Sequence, residues 1–413
     1  MKKSRRIEER MEQVRQALER IKHGNLVLVR DDEGRENEGD LVGAASLADA
    51  AMVAFMAVHG RGLVCQSVTE ETARRLALHP QTHSNTDSMG TAFTVSVDAA
   101  AGITTGISAA DRALTARILA DPQSVPEQLT RPGHLFPLIA KKGGVLARPG
   151  HTEASADLAR LAGLEPSGLI CEVMNEDGTM ARGPELEKLA AEWGMPLISV
   201  KDIIAWREAL GDIVLEETDS AMMPTEHGEF SIRAFRCEDP AASEMLLLES
   251  RASGGIPLVR LHSECLTGDG FHSLRCDCGP QLTAALSRIA DEGGALVYLK
   301  QEGRGIGIFE KIRAYILQDR GLDTVSANIS LGHEADLRRY GSAAAILKKA
   351  GYTRVRLLTN NPEKVAALER AGIEVVERIP HYHGGNRHNL RYVQTKIEQM
   401  GHYAPRKLKE IAL

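Results

Sequence analysis

A chain of 413 residues is too long for one ordinary hydrophobic core, so two domains of about 200 residues each are expected. Hydrophobic residues at 43% and charged residues at 26% exclude a disordered polypeptide, while a net charge of -6 and only 4% aromatic residues argue against a nucleic-acid binder. Six thinly spread cysteines do not make a disulfide framework, and no run of 18 apolar residues exists to span a membrane, so a reducing, cytoplasmic setting is expected.

The first predicted element is an amphipathic helix in which Ile7, Met11, Val14, Leu18 and Ile21 step by three and four, with glutamates that speak against a transit peptide. From residue 25 to 207, short apolar or β-branched runs ("NLVLVR", "GLVCQSVT", "TAFTVSVD", "LFPLIA", "GLICEVM", "PLISV") alternate with helical patterns at 49 to 58, 109 to 119, 153 to 162 and 184 to 193. The helix "DIIAWREAL" ends at Gly211, which places the domain boundary near 208 to 212. A second series ("DIVLEETD", "FSIRAFRC", "IPLVRLH", "GALVYLK", "RVRLLT") is interleaved with helices at 279 to 291, 306 to 319, 338 to 350 and 362 to 371. Both halves therefore read as α/β.

After "NLVLVR" come Asp31, Asp32, Glu33, Glu36, Glu38 and Asp40 within ten residues. So many carboxylates repel one another unless solvated as an exposed loop or shared by a divalent cation. The tetrapeptide Arg-Pro-Gly-His occurs at 131 to 134 and again at 148 to 151, and both copies read as turns presenting a histidine. "RPGHTEAS" also opens a helix whose free N–H groups, with Arg148, suit a phosphate, and "TTGISAADRA" is a second polar loop entering a helix. Cys65 and Cys171 lie in strand-like runs and read as core.

"RENEGD", "TAFTVSVDA", "TTGISAADRA", the two "RPGH" copies and "CEVMNEDGTMAR" together resemble 3,4-dihydroxy-2-butanone 4-phosphate synthase over residues 8 to 208. The resemblance implies conversion of D-ribulose 5-phosphate to the four-carbon phosphate plus formate. It assigns Mg²⁺ or Mn²⁺ to Glu36 and His151, substrate contacts to Arg35, Glu36, Asp40, Arg148, Thr152 and Glu172, and proton transfer to His134 and Glu172. Enolisation next to a carbonyl needs an electrophilic metal and acid/base groups, which suits these residue types.

In the second half, "RLHSECLTGDGFHSLRCDCGPQL" carries Cys265, Cys276 and Cys278. On an extended segment the last two would point to one side, and three thiolates suit Zn²⁺ with a fourth position left for water; closure by His262 or His272 would instead make the site structural. Downstream, "QEGRGIGIFEKIRAY" and "LLTNNPEK" suit phosphate binding, and "EADLRRY" sets Asp336 and Arg338 at helix spacing.

These segments, with "LDTVSANISLG", resemble GTP cyclohydrolase II over residues 213 to 402. The resemblance implies opening of the imidazole ring of GTP, with formate and diphosphate released, by Zn²⁺ on Cys265, Cys276 and Cys278, and Mg²⁺ on the triphosphate. It makes Asp336 the proton acceptor and Arg338 the nucleophile at the α-phosphate, while the guanidinium's permanent protonation makes a purely electrostatic role an equally good physical reading. GTP contacts fall to Arg260, Glu264, Gln281, Glu302, Arg304, Thr324, Thr359 and Lys364. The segment departs from the usual pattern at His272, at "IFEK", at His333 and at "RRYGSAAAIL", which keeps open a second half that binds nucleotide without turning it over.

The expectation is thus a bifunctional enzyme of riboflavin synthesis. Two mixed-sheet α/β domains, 1–208 and 209–413, act on ribulose 5-phosphate and GTP, and the resemblance implies a homodimer.

Overall fold

The computed structural model describes residues 2–32, 34–237, 244–251, 254–333 and 336–404, with the side chains of residues 2–8 left out of account. Glu33 of the acidic loop therefore lies outside the described residues. The chain forms two compact units, 1–206 and 207–413.

The first unit holds seven strands: β1 (Val27–Arg30), β2 (Gly39–Ala44), β3 (Cys65–Val68), β4 (Val97–Ala99), β5 (Leu129–Ile139), β6 (Gly168–Glu172) and β7 (Leu197–Ser199). Its sheet runs β4-β5-β3-β6-β2-β1-β7 and is mixed: β1/β7 and β3/β5 are parallel, the other pairs antiparallel. The helices are α1 (Lys2–Lys22), α2 (Ala50–Phe55), α3 (Glu70–Arg75), α4 (Ala109–Ala120), α5 (His151–Leu161), α6 (Gly183–Glu192) and α7 (Val200–Leu210), the last continuing into the second unit.

Alternation along the strands sorts the core into two layers. Val27, Val29, Val42 and Ala44 pack under α1 and α5 with Val14, Leu18, Ile21 and Leu158, whereas Leu28 and Leu41 pack on the other face with Met52, Leu119 and Leu186. The apolar stripe expected of α1 is the one that buries Val14, Leu18 and Ile21. Cys65 and Cys171 are both buried core residues, as read from the sequence.

One prediction fails here. The first Arg-Pro-Gly-His copy is not a turn: residues 131–134 lie inside β5, which starts six residues earlier than "LFPLIA" suggested. Gly133 is what lets the chain pass, because a Cβ there would stand 2.0 Å from the Val97 carbonyl carbon of β4. Only the second copy is a turn, ending in the Gly150 N-cap of α5.

The second unit holds β8 (Leu215–Glu217), β9 (Ala221–Thr225), β10 (Gly228–Cys237), β11 (Glu244–Ser250), β12 (Leu258–Ser263), β13 (Gly294–Leu299), β14 (Arg354–Leu358) and β15 (Glu374–Ile379). The sheet runs β15-β14-β12-β13-β11-β10-β8, with β9 paired to β10. β12 to β15 are mutually parallel and β8 to β11 pair antiparallel. Its helices are α8 (Leu266–Asp269), α9 (Cys278–Glu292), α10 (Gly307–Asp319), α11 (Thr324–Ser330), α12 (Gly341–Lys349), α13 (Pro362–Arg370) and α14 (Leu390–Glu398).

α12 and α13 cover Val259, Leu261, Val297 and Leu299, while α9 covers Leu258 and Leu296 on the opposite face. A parallel sheet covered on both faces leaves the loops beyond its strand ends as the place for a ligand. The loops after β12, β13 and β14 carry Cys265, Glu302 to Arg304, and Thr359 to Asn361, with Lys364 in the first turn of α13.

Candidate metal and substrate sites

In the first unit, β1 delivers Asp31 and β2 delivers Asp40, which pairs across the sheet with Glu172 of β6. Between them the acidic loop is folded around Asp31, not splayed into solvent. The Asp31 carboxylate accepts the N–H groups of Glu36 (3.1 Å) and Glu38 (2.9 Å) and the Arg35 guanidinium (2.9 Å). Arg35 also donates to Glu36 Oε2 at 2.7 Å.

His151, the first residue of α5, points its Nδ1 at this group, 3.5 Å from Asp40 Oδ1 and 3.8 Å from Glu36 Oε2. Asp31, Glu36 and His151 each offer a ligand atom within 4.8 Å of the others. His151 Nε2 and Asp40 Oδ1 are buried with no hydrogen-bond partner. Burial, together with Glu172, Glu36 and Glu38, pushes Asp40 up to about 7 against the pull of His151. Burial and the Glu36 and Glu172 charges also raise Glu38. A surplus of crowded carboxylates with orphaned donor atoms fits a hard divalent cation.

Beside the cluster, α5 starts at Gly150 without a side-chain cap. A Cβ on Gly150 would meet Arg148 Nη1 at 2.6 Å and Arg35 Nη2 at 3.0 Å, so two guanidinium groups converge where the helix N-terminus faces out. Arg148 is held there by Glu153 (2.7 Å) and Thr91 (3.2 Å), and Thr152 is buried in the same turn. The "TTGISAADRA" loop is different. Asp111 turns back to accept from Thr104 and Gly106, so those donors are consumed internally.

His134 sits on β5, three strand positions from β2 in the sheet order. Its N–H donates to Asp98 Oδ1 at 2.9 Å and its Nδ1 lies 2.7 Å from Asp98 Oδ2. Asp98 is buried and lies on β4, and the sequence reading missed it although it is the last residue but one of the quoted "TAFTVSVDA" block. Glu172 Oε2 accepts the Leu63 N–H at 2.9 Å.

In the second unit, Cys265, Cys276 and Cys278 bring their sulfurs within 4.8 Å of one another, Cys265 and Cys276 being 3.6 Å apart. The expected extended Cys276–Cys278 segment is not found: Cys278 is already the first residue of α9. Neither histidine joins the thiols. His262 is turned to Asp269 (3.0 Å), and His272 is exposed in a left-handed conformation.

Hydrogen bonds from the Cys276 and Cys278 thiols, with Lys311, favour the thiolate at Cys265, while that thiolate pushes Cys276 up to about 11. Three thiols this close cannot all ionise without a cation, and the donor set fits a thiophilic metal. Asp269, also missed from sequence, steadies the first of them by accepting from Cys265 N–H (2.9 Å), His262 and Tyr298 (2.9 Å).

Two adjoining cavities meet at Cys278 and Arg338. One is lined by the three cysteines, Glu264, Glu302, Arg304 and Thr324; the other by Arg260, Gln281, Thr359 and Lys364, with Lys396 and His402 from the last described segment. All the GTP-contact candidates therefore line one composite cavity. Arg304 is buried with both terminal nitrogens unpartnered. Burial and the cations Arg260, Arg338 and Lys396 push Lys364 well below its usual range, and burial with Lys396 and Arg338 brings His402 down to about 2. This is a pocket short of an anion.

Asp336 and Arg338 are not on a helix. They precede α12 in an irregular run and form a bidentate pair, Nε to Oδ1 at 2.9 Å and Nη2 to Oδ2 at 2.6 Å. Burial opposes ionisation of Asp336, but Arg338 holds it down to about 2.

Comparison with known proteins gives a family for each half of the chain. Residues 15–206 match the family model of 3,4-dihydroxy-2-butanone 4-phosphate synthase, and 216–380 match that of GTP cyclohydrolase II. The riboflavin biosynthesis protein RibBA of Bacillus subtilis (strain 168) is 50% identical over 396 residues, covering 94% of this chain and 98% of its own, and that of Bacillus mycoides (strain KBAB4) is 51% identical over 391 residues. Among solved structures, RibBX of A. baumannii, described as a two domain 3,4-dihydroxy-2-butanone 4-phosphate synthase, is 34% identical with a TM-score of 0.57, covering 89% of this chain and 98% of its own.

Proposed function

The chain belongs to the RibBA family of bifunctional riboflavin-biosynthesis enzymes, with a lyase and a hydrolase activity on one polypeptide, and on that premise we propose which side chains perform each reaction. Its substrates are D-ribulose 5-phosphate and GTP. We assign the first to residues 1–208 and the second to 209–413. Among the described residues, no helix is long and apolar enough to cross a membrane. Six cysteines kept as free thiols favour the cytoplasm, and a homodimer follows the family resemblance.

For the lyase, Glu36 and His151 would hold Mg²⁺ or Mn²⁺, which supplies polarisation of adjacent sugar oxygens. Arg35, Arg148 and the N–H groups of Thr152 and its neighbours at the start of α5 bind the phosphate, and Asp40 accepts a substrate hydroxyl. Asp98 accepts the hydrogen bond of His134 Nδ1–H, which fixes the tautomer and leaves Nε2 to accept a proton from substrate. Glu172, anchored through one oxygen to Leu63 N–H, moves a proton with the other.

For the hydrolase, Cys265, Cys276 and Cys278 would hold Zn²⁺, which supplies an activated water. Glu264, Glu302 and Thr324 orient the base. Arg304, Arg260, Gln281, Thr359 and Lys364 bind the triphosphate with its Mg²⁺. Asp336, held ionised, accepts a proton. Arg338, locked charged by that carboxylate, acts electrostatically at the α-phosphate, since a guanidinium fixed in a bidentate pair is a poor nucleophile.

The observation that carries this reading is the join at Cys278 and Arg338 between the thiol cavity and the anion-deficient cavity, so that a metal held by the thiols would lie beside a phosphate held by the cations. The test is turnover of GTP by zinc-loaded protein, followed as the pyrimidine product by absorbance and mass. Zinc-bound protein that binds GTP without forming the pyrimidine would refute it and favour the nucleotide-binding alternative.

A further inference from the structure

Lys311 lies in α10, four residues after the Gly307 that opens it, and its ammonium is buried. Its Nζ stands 3.2 Å from Cys265 Sγ and 2.7 Å from Glu302 Oε1. The other Glu302 oxygen accepts the N–H of Leu266, the residue after Cys265, at 2.6 Å. Lysine, thiolate, backbone and carboxylate thus close a ring. The approach depends on the glycine turn, because a Cβ on Gly303, where φ is +61°, would come within 3.1 Å of Lys311 Cβ. One turn further on, Tyr315 closes the far side of the ammonium, its ring centroid 5.8 Å from Nζ and its hydroxyl 3.1 Å from Thr267 Oγ1.

Three thiolates and a zinc ion carry a net charge of -1, and the sulfurs of Cys265 and Cys276 belong to buried residues. An uncompensated buried charge is costly, and a hydrogen bond from an ammonium to a thiolate withdraws charge from the sulfur. Among the described residues, Lys311 is the basic side chain that makes such a bond to these thiols.

We propose that Lys311 is a positioning residue of the hydrolase: it neutralises the three-thiolate zinc centre through Cys265 and, through Glu302, fixes a base-contacting carboxylate relative to that centre. The proposal rests on the three cysteines holding zinc. Lys311 is the last letter of the "IFEK" segment, whose Phe309 is exposed.

The test uses the full chain with Lys311→Arg, Lys311→Gln and Lys311→Met. Three quantities are read: zinc transfer to a chromophoric chelator, the thiolate-to-cobalt charge-transfer band of cobalt-loaded protein, and GTP kcat and KM, with ribulose 5-phosphate turnover as a check that the chain is intact. Zinc loss is expected to quicken about tenfold to a hundredfold in the methionine variant, the scale seen when a metal ligand's hydrogen-bond partner is removed. The cobalt band should move to lower energy as the sulfur loses its donor, and kcat should fall more than KM changes. Lys311→Arg should restore most of the zinc retention and the band. Unchanged zinc release and an unchanged band in Lys311→Met would overturn the proposal, as would Lys311→Arg behaving like Lys311→Met. If the methionine variant does not fold, equal behaviour of the arginine and glutamine variants overturns it instead. Failure of the wild type to turn over GTP would sink the hydrolase assignment, while zinc release and the cobalt band would still judge Lys311.

Discussion

The two sites are built from opposite deficits. The first unit collects Asp31, Glu36, Glu38 and Asp40 around one buried histidine, so that carboxylates outnumber the cations that could satisfy them. The second collects Arg260, Arg304, Arg338 and Lys364 around one composite cavity, so that cations outnumber the anions. On the proposed assignment a hard divalent ion would complete the former and a triphosphate the latter. The proposed metal donors would follow the same division: carboxylates and imidazole where sugar oxygens must be polarised, thiolates where water must be activated next to a purine. The supports differ as well. Asp31 is held in the first unit by two N–H groups of its own loop and by Arg35, whereas in the second unit Asp269 holds the Cys265 backbone and Lys311 its sulfur.

If the deficits are independent, each can be broken without the other. Cys276→Ser should lower GTP turnover by about a thousandfold or more, through loss of a zinc ligand, with synthase turnover within about twofold of wild type. Simultaneous loss of both activities would show that the thiols maintain the fold of the whole chain. Glu36→Ala should do the reverse, costing the synthase about a thousandfold, its Mg²⁺ titration shifting upward and GTP turnover unchanged. A Glu36→Ala enzyme with normal synthase kinetics would remove Glu36 from the metal site.

How much of this was legible in the sequence follows from how far apart the partners lie. Cys265, Cys276 and Cys278 sit within fourteen residues, so their spacing alone announced a thiol cluster, even though Cys278 proved to start a helix. Glu36 and His151 are far apart in the chain, and residue type alone could not join them; the family resemblance did, before β2 and α5 were seen to bring them together. Asp98 and Lys311 were unreadable for another reason. Each contacts another side chain, and an aspartate within a short strand or a lysine on a helix looks like ordinary surface until its partner is placed. β11 and β15 went unrecognised because "EMLLLES" and "EVVERI" each open on a glutamate, carry further charge toward the end and alternate little, and the β5 extension because Pro132 and Gly133 read as turn formers.

Smaller changes sharpen the contrast within the first unit. Asp98→Asn removes the carboxylate that fixes the His134 tautomer but leaves the metal cluster intact, so synthase kcat should fall about a hundredfold with little change in KM or Mg²⁺ dependence. An equal loss of Mg²⁺ affinity would mean that His134 and the metal cluster are not separate parts.

The smallest expected effect belongs to Gly106→Ala, which reaches the same pair from behind. Gly106 has φ +95°, where an alanine is strained, and its Cβ would lie 2.1 Å from Asp98 Oδ2 and 2.6 Å from His134 Nδ1. Strain in this region costs about 1–3 kcal/mol, and the clash must be relieved by moving either the loop or the Asp98–His134 pair. If the loop yields, stability falls and kcat holds. If the pair yields, kcat should drop about tenfold as well, the strained backbone at position 106 lowering thermal stability in both cases. We expect the pair to yield, because Asp111 pins the loop through Thr104 and Gly106 itself, whereas His134 is partly exposed and free to turn. Measuring melting temperature and synthase kcat on one preparation separates the two, with GTP turnover as the unaffected reference.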